Sequence, residues 1–248
     1  MLEVLGLSKS FGGVRAADDV TFTVPEGKIV SLIGPNGAGK TTLFSMITGF
    51  HRPDAGKVTF CGEDITGRAP ETVALLGMVR TFQIVQPFAG QTVRENIAVG
   101  AHLRLCSRAA ALAKAEEVAD KVGLGDRQRR GVHVEPVAGR KRLEVARALA
   151  TEPKLVLFDE VLAGLNPSEI RDVIPIIRAV REAGVTILLI EHVMQAVMSL
   201  SEYTWVLNQG RIIAEGEPGK VVADPVVIEA YLGKGMAARI AAQEPADA

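Results

Sequence analysis

Residues 34–41 read Gly34, Pro35, Asn36, Gly37, Ala38, Gly39, Lys40 and Thr41, and fit the spacing G-x-x-x-x-G-K-[ST]. Glycines at these places let the backbone wrap closely, so that successive N–H groups point at an anion. A helix opening near Lys40 adds its positive end. The Lys40 ammonium can reach outer phosphates, and the Thr41 hydroxyl, followed by Thr42, can meet a Mg²⁺ ion. The plain alternative is a glycine-rich turn with an incidental lysine. Far along the chain, "LVLFDE" ends an apolar run in Asp159 and Glu160. Asp159 is placed to hold Mg²⁺ through water. Glu160 is placed to orient and activate an attacking water, help that is typically worth ~10²–10⁴ in rate. A helix-capping pair is the alternative for these two acids.

To bring these groups together, a strand must precede the loop, a helix must follow it, and a second buried strand must end at Asp159. The runs "LEVLGL", "VTFTV" and "KIVSLIG" read as strands parted by turns at "FGG" and "PEG", and the last feeds the glycine loop. A helix follows over Lys40–Thr48, closed by Gly49. "GKVTFCG" reads as extended and is followed by a short helix near 70–76. From about Thr92 to Gly125 the pattern changes: "RAAALAKAEEVADKVGL" is alanine-rich and helical in propensity. Residues 88–151 therefore read as a helical lobe, ending in a helix over Arg140–Ala150 and inserted in a core made of 1–87 and 152–233. "KLVLFDE" and "VTILLIEH" read as buried parallel strands. Between them "NPSEIRDVIPIIRAVREAG" forms a helix capped by Asn166 or Ser168 and closed by Gly184, with Pro175 expected to bend it. "YTWVLNQGRIIAEG" reads as a hairpin around Asn208–Gly210, with two short helices near 218–232 after it. The tail 234–248 has little to pack against and is expected to be mobile.

The chain has 248 residues, 48% hydrophobic and 23% charged, which suits one α/β domain with a smaller lobe. A net charge of −1 gives no electrostatic footprint for nucleic acid. Cys61 and Cys106 match neither a metal spacing nor a disulfide framework, and are expected to be small buried thiols of a cytosolic protein. His51, His102 and His133 match no motif. The start "MLEVLGLSKSFGG" has no basic n-region and no long apolar h-region. The richest apolar stretch, "GVTILLIEHVMQAVMSL", is broken by Glu191 and His192 and falls short of the ~20 apolar residues of a span. Work at a membrane would go through a partner.

In this order the motifs resemble the ATP-binding subunit of ABC transporters, over about residues 2–233. The resemblance implies an α/β fold of the P-loop NTPase (RecA-like) kind: a mixed-sheet core, an N-terminal antiparallel β subdomain and an inserted helical subdomain. It implies that Phe11, in "KSFGG", stacks on adenine, a packed aromatic being the alternative. Gln83, in "VRTFQ", would contact Mg²⁺ and water and sense the membrane subunits. "AGLNP" at 163–167 takes the D-loop place, and His192, in "LLIEH", the place of the switch histidine that contacts the γ-phosphate. "ITGFHRPDAGKVTFCGEDITG", "GMVRTFQIVQPFAGQTVRENIAVG", "AGLNPSE" and "VVADPVVIEAYLG" are similar to the branched-chain amino acid importer ATPases, a group with relatives that import urea, amides or aromatic acids. ATP and Mg²⁺ are the implied cofactors. The implied partners are a second ATPase subunit, permease subunits docked in a groove near Gln83 and, indirectly, a periplasmic or extracellular substrate-binding protein, with no nucleic acid. The implied location is peripheral, on the cytoplasmic face of the inner membrane.

One motif departs from the family. The signature LSGGQ or LSYGQ should precede "RLEVARAL", and counting back without gaps places Glu135, Pro136, Val137, Ala138 and Gly139 there. Pro136 offers neither hydroxyl nor N–H, and Glu135 is expected to add negative charge near the phosphate. A shift of one residue would turn the following helix by about 100° against its buried face. The family's nucleotide sites are shared by two cassettes packed head to tail. This chain's own half therefore reads as complete, and the half it lends its partner as altered. An asymmetric heterodimer is the expectation; a homodimer relying on main-chain N–H groups of Val137–Gly139 is the alternative. Val161 stands where the family often has proline, with little loss expected. Two other classes remain in view. Against a soluble ATP-driven factor in translation or DNA maintenance stand the single cassette, the lack of a long insert and the near-zero charge. Against a regulatory cassette without hydrolysis stand Glu160 and His192, while residues 135–139 favour it.

Overall fold

Two kinds of apolar pattern build two sheets. The computed structural model describes residues 1–83 and 86–233, together with 235, 236 and 239. Strands β1 (Leu2–Phe11) and β2 (Val14–Val24) alternate buried and exposed side chains, the mark of a sheet with one wet face. Then follow β3 (Ile29–Ile33), α1 (Lys40–Ile47), β4 (Ala55–Phe60), β5 (Glu63–Asp64), α2 (Pro70–Leu76) and β6 (Met78–Arg80). Three helices come next: α3 (Val93–Ala101), α4 (Arg108–Lys121) and α5 (Val137–Ala150). The chain continues as β7 (Leu155–Asp159), α6 (Pro167–Glu182), β8 (Thr186–Ile190), α7 (Met194–Leu200), β9 (Tyr203–Asn208), β10 (Arg211–Gly216), α8 (Pro218–Val222) and α9 (Pro225–Leu232).

One sheet is antiparallel, in the order β2-β1-β4-β5. The other runs β10-β9-β3-β8-β7-β6 and is parallel except for β10. Every residue of β3, β7 and β8 is buried. Because side chains alternate across a strand, Val156, Phe158, Ile187 and Leu189 enter the core beneath α5 and α6. Leu155, Leu157, Leu188 and Ile190 enter the opposite core, with α1 and the antiparallel sheet. Each such side chain fully buried stabilises the fold by about 1.5–3 kcal/mol. This two-sided burial is why the runs are continuous rather than alternating.

Several expectations shift. The strand at 20–24 begins at Val14, because β1 pairs with it back to the Gly12–Gly13 turn, and register overrides the weak strand propensity of Ala16–Asp19. The helix expected from Arg140 begins at Val137, with Pro136 as its N-cap. Pro175 stands inside α6 as expected and does not end the helix; it is exposed, so water can take up the carbonyl that proline leaves unpaired. Both cysteines are exposed rather than buried: Cys61 sits in the left-handed turn after β4, and Cys106 in the loop between α3 and α4. Most of the tail 234–248 lies outside the described residues.

Candidate nucleotide site

Strands β3, β8, β7 and β6 are neighbours and run the same way, so whatever follows them leaves one edge of the sheet together. Open α/β sheets take ligands in the crevice at that edge. The edge receives residues 34–40 after β3, Glu191 and His192 after β8, Asp159 and Glu160 at the end of β7, and Arg80 to Gln83 at the end of β6.

The loop is shaped by close backbone approach. Gly39 has φ +104, and a Cβ there would lie 2.0 Å from the Ala16 carbonyl oxygen of β2. A Cβ on Gly34 would lie 2.0 Å from the Leu207 carbonyl oxygen of β9. The N–H of Gly210, in the β9–β10 turn, donates to the Ala38 carbonyl at 2.9 Å. Asn36, Gly37 and Thr41 are exposed at the rim, Pro35 and Thr42 are half-buried, and Ala38 is buried. Lys40 is 8% exposed. Its ammonium donates to the carbonyls of Gly34 at 2.7 Å and Pro35 at 3.0 Å. Burial pushes the Lys40 pKa below the usual lysine value, opposed by the charges of Glu160 and Asp159. The lysine therefore lies in the field of both acids.

Asp159 is 1% exposed. Its Oδ2 pairs with Arg80 Nη2 at 2.5 Å, and Arg80 also donates to Ser45 Oγ at 2.9 Å. Its Oδ1 is buried with no hydrogen-bond partner among the described residues. Arg80 went unread in the sequence; the available signal was its place three residues before Gln83. Glu160 has φ +51, a conformation that costs a non-glycine residue about 1–3 kcal/mol. Its N–H donates to the Ile190 carbonyl at 2.9 Å. Its carboxylate accepts from Gln83 Nε2 at 2.6 Å, and His192 Nδ1 stands 4.0 Å from its other oxygen. Glu191, next to His192, turns inward and accepts the Leu162 N–H at 2.9 Å. Burial pushes its carboxyl up to about 7, opposed by that N–H and aided by the Glu160 charge. Val161 joins the core.

Phe11 is 44% exposed at the end of β1, its ring edge-on to His51 at 5.4 Å. The altered signature lies at the start of α5. Glu135 does not add charge at the surface: its carboxylate is buried, 3.3 Å from Arg127 Nη1. A Cβ on Gly139 would lie 2.2 Å from its Oε2, so the glycine makes room for the inward carboxylate. Pro136 and Val137 are exposed and Ala138 half-buried. As at any helix start, the first-turn N–H groups here lack intrahelical acceptors, and among the described residues no side chain caps them.

Beside Gln83 opens a groove of about 840 Å³, lined among others by Phe50, Phe82, Phe88, Val99, Glu144 and Arg147, and reaching Thr41 and Asp159. Its exposed aromatic rings have cationic neighbours. The Arg147 guanidinium lies 4.9 Å from the Phe88 ring, and that of Arg80 lies 5.4 Å from Phe82. The Glu144 carboxylate accepts the Phe82 N–H at 2.6 Å, and burial pushes its pKa up.

Comparison with known proteins identifies relatives of this chain. The ABC transporter family matches residues 17–163, and the branched-chain amino acid ATP-binding cassette transporter family matches residues 211–237. The high-affinity branched-chain amino acid transport ATP-binding protein BraF of Pseudomonas aeruginosa is 40% identical, covering 94% of this chain and 98% of that protein. LivG of Escherichia coli, a protein of the same description, is 38% identical over the same shares. The crystal structure of an ABC transporter's ATP-binding cassette in its ADP conformation superposes with a TM-score of 0.86 at 33% identity, covering 94% of this chain and 99% of that one. With loop, acids and histidine gathered on one sheet edge, and with relatives alike over almost their whole length, this chain belongs to the ABC transporter ATP-binding proteins of the branched-chain amino acid type.

Proposed function

We propose that this chain binds and hydrolyses ATP to drive an importer of branched-chain amino acids or closely related small solutes. The observation that carries the reading is the convergence of Lys40, Gln83, Asp159, Glu160 and His192 at the ends of four adjacent parallel strands. The main-chain N–H groups of residues 36–39 and the Lys40 ammonium receive the phosphates; a phosphate oxygen is a stronger acceptor than the carbonyls Lys40 now holds. Phe11 offers a ring for the adenine. Glu160, braced by Gln83, accepts a proton from the attacking water, and His192 stands beside it to meet the γ-phosphate. The buried Asp159 Oδ1, without a hydrogen-bond partner among the described residues, fits a metal site completed by Thr41 and Gln83. Mg²⁺ held there would supply positive charge against the phosphates.

Among the described residues no helix is long and apolar enough to cross a membrane. By its family, the reading seats the chain on the cytoplasmic face of the membrane through a permease, whose segment would lie in the aromatic groove near Gln83. A periplasmic or extracellular binding protein would deliver the cargo. A second, different cassette would supply the signature facing this chain's loop. A pair of identical chains is the second reading, favoured by the free first-turn N–H groups of α5. Glu160→Gln in the assembled transporter tests the core of this reading. Nucleotide binding should persist while ATP turnover and uptake of labelled leucine fall by about 10²–10⁴. Undiminished turnover would remove Glu160 from its role.

A further inference from the structure

Lys141 is only 6% exposed, a rare setting for a lysine. Its ammonium donates to two main-chain carbonyls, that of Gln83 at 3.1 Å and that of Glu160 at 3.0 Å. The first belongs to the loop after β6 and the second to the residue just after β7, while Lys141 itself stands in α5 just after the altered signature. One side chain thus joins three segments far apart in sequence. Burying an ammonium is costly unless acceptors replace its water, and these two carbonyls do so.

Glu160 needs such support, because its φ of +51 is a conformation that side chains rarely adopt unless their surroundings hold them there. Its N–H is held by the Ile190 carbonyl, its own carbonyl by Lys141, and the Leu162 N–H two residues on by the buried Glu191 carboxylate. We propose that Lys141 is a positioning residue for ATP hydrolysis. It holds the Glu160 backbone in its left-handed turn and ties that turn to the Gln83 loop, so Glu160 meets the attacking water only while α5 keeps its place against the sheet. The inference rests on Glu160 being the group that activates water.

The test uses the assembled transporter. Lys141→Met keeps the apolar stem and removes the donors; Lys141→Arg restores donors. Misplacing a catalytic group by about 1 Å can cost 10²-fold, so Lys141→Met should lower kcat by about 10–100-fold while KM for ATP and the Kd of a fluorescent ATP analogue stay within about twofold. Lys141→Arg should recover much of the rate. In a Glu160→Gln background, Lys141→Met should cause no further loss, since it acts through that residue. Full kcat in folded Lys141→Met overturns the inference, as does an equal loss of turnover and nucleotide binding. If Lys141→Met does not fold, Lys141→Gln is held to the same criteria. Full hydrolysis by Glu160→Gln overturns both the role of Glu160 and this inference. An inactive Glu160→Gln beside a fully active Lys141→Met overturns this inference alone.

Discussion

At the scale of single residues, the site stores several costs close together: a buried lysine, a left-handed glutamate and a buried carboxyl. The last has a measurable signature. Glu191 titrates near 7 in the fold, against 4.5 for the ordinary side chain. Between those values the native state holds a proton that the unfolded chain has released. Its stabilising effect is therefore complete below about 4.5 and is lost as pH rises through about 7. Glu191→Gln keeps an acceptor for the Leu162 N–H but no longer titrates. The stability of this variant relative to the parent should rise between pH 4.5 and 8, by about 3 kcal/mol at most. Parallel thermal melts across that range check it, and a flat difference would mean that Glu191 is solvated like a surface carboxylate. None of this was legible in "LLIEH", where Glu191 read only as a break in an apolar run.

At the scale of elements, local chemistry was a good guide. Helix α6 opens on Asn166, whose Oδ1 accepts the N–H groups of Ser168 and Glu169, both at 3.0 Å, while Glu169 reaches back to the Asn166 N–H at 2.8 Å. This settles the N-cap on Asn166 rather than Ser168. Its buried stripe of Ile170, Val173, Ile174, Ile177 and Val180 is the face read from spacing. Asn166→Ala should lower the stability of the isolated chain by about 1 kcal/mol and Asn166→Asp by much less, read as denaturant midpoints. The start of α5 was less legible, because Pro136 is compatible both with a loop and with an N-cap. The short β5 and β6 were missed, since neither carries a periodic pattern of its own; pairing to β4 and β7 makes them strands.

At the scale of the whole molecule, the two ends of the cassette differ. One edge of the parallel sheet carries Lys40, Gln83, Asp159, Glu160 and His192. The start of α5 has Pro136 at its N-cap and no side-chain cap among the described residues, so on the proposed reading it would offer a partner main-chain donors. Each missing hydrogen bond to a charged group is worth about 1.5–3 kcal/mol, so the purified chain should bind ATP·Mg²⁺ yet turn it over weakly, and a partner cassette with an unaltered signature should raise turnover at least about tenfold. Steady-state phosphate release with and without that partner decides the matter. Fast turnover by the chain alone would instead favour the symmetric pair.

Sequence alone was enough for the glycine loop between a strand and a helix, the two buried strands followed by the acids and the histidine, most of the helices and the family. These depend on neighbours a few residues apart: glycine spacing, apolar periodicity and capping side chains. The tertiary structure alone decided that Arg80 pairs with Asp159, that Lys141 bridges two distant carbonyls, that Glu135 turns inward and that both cysteines face water. Those outcomes depend on which polar group replaces water around a buried charge, and the partner is chosen by packing between segments dozens of residues apart.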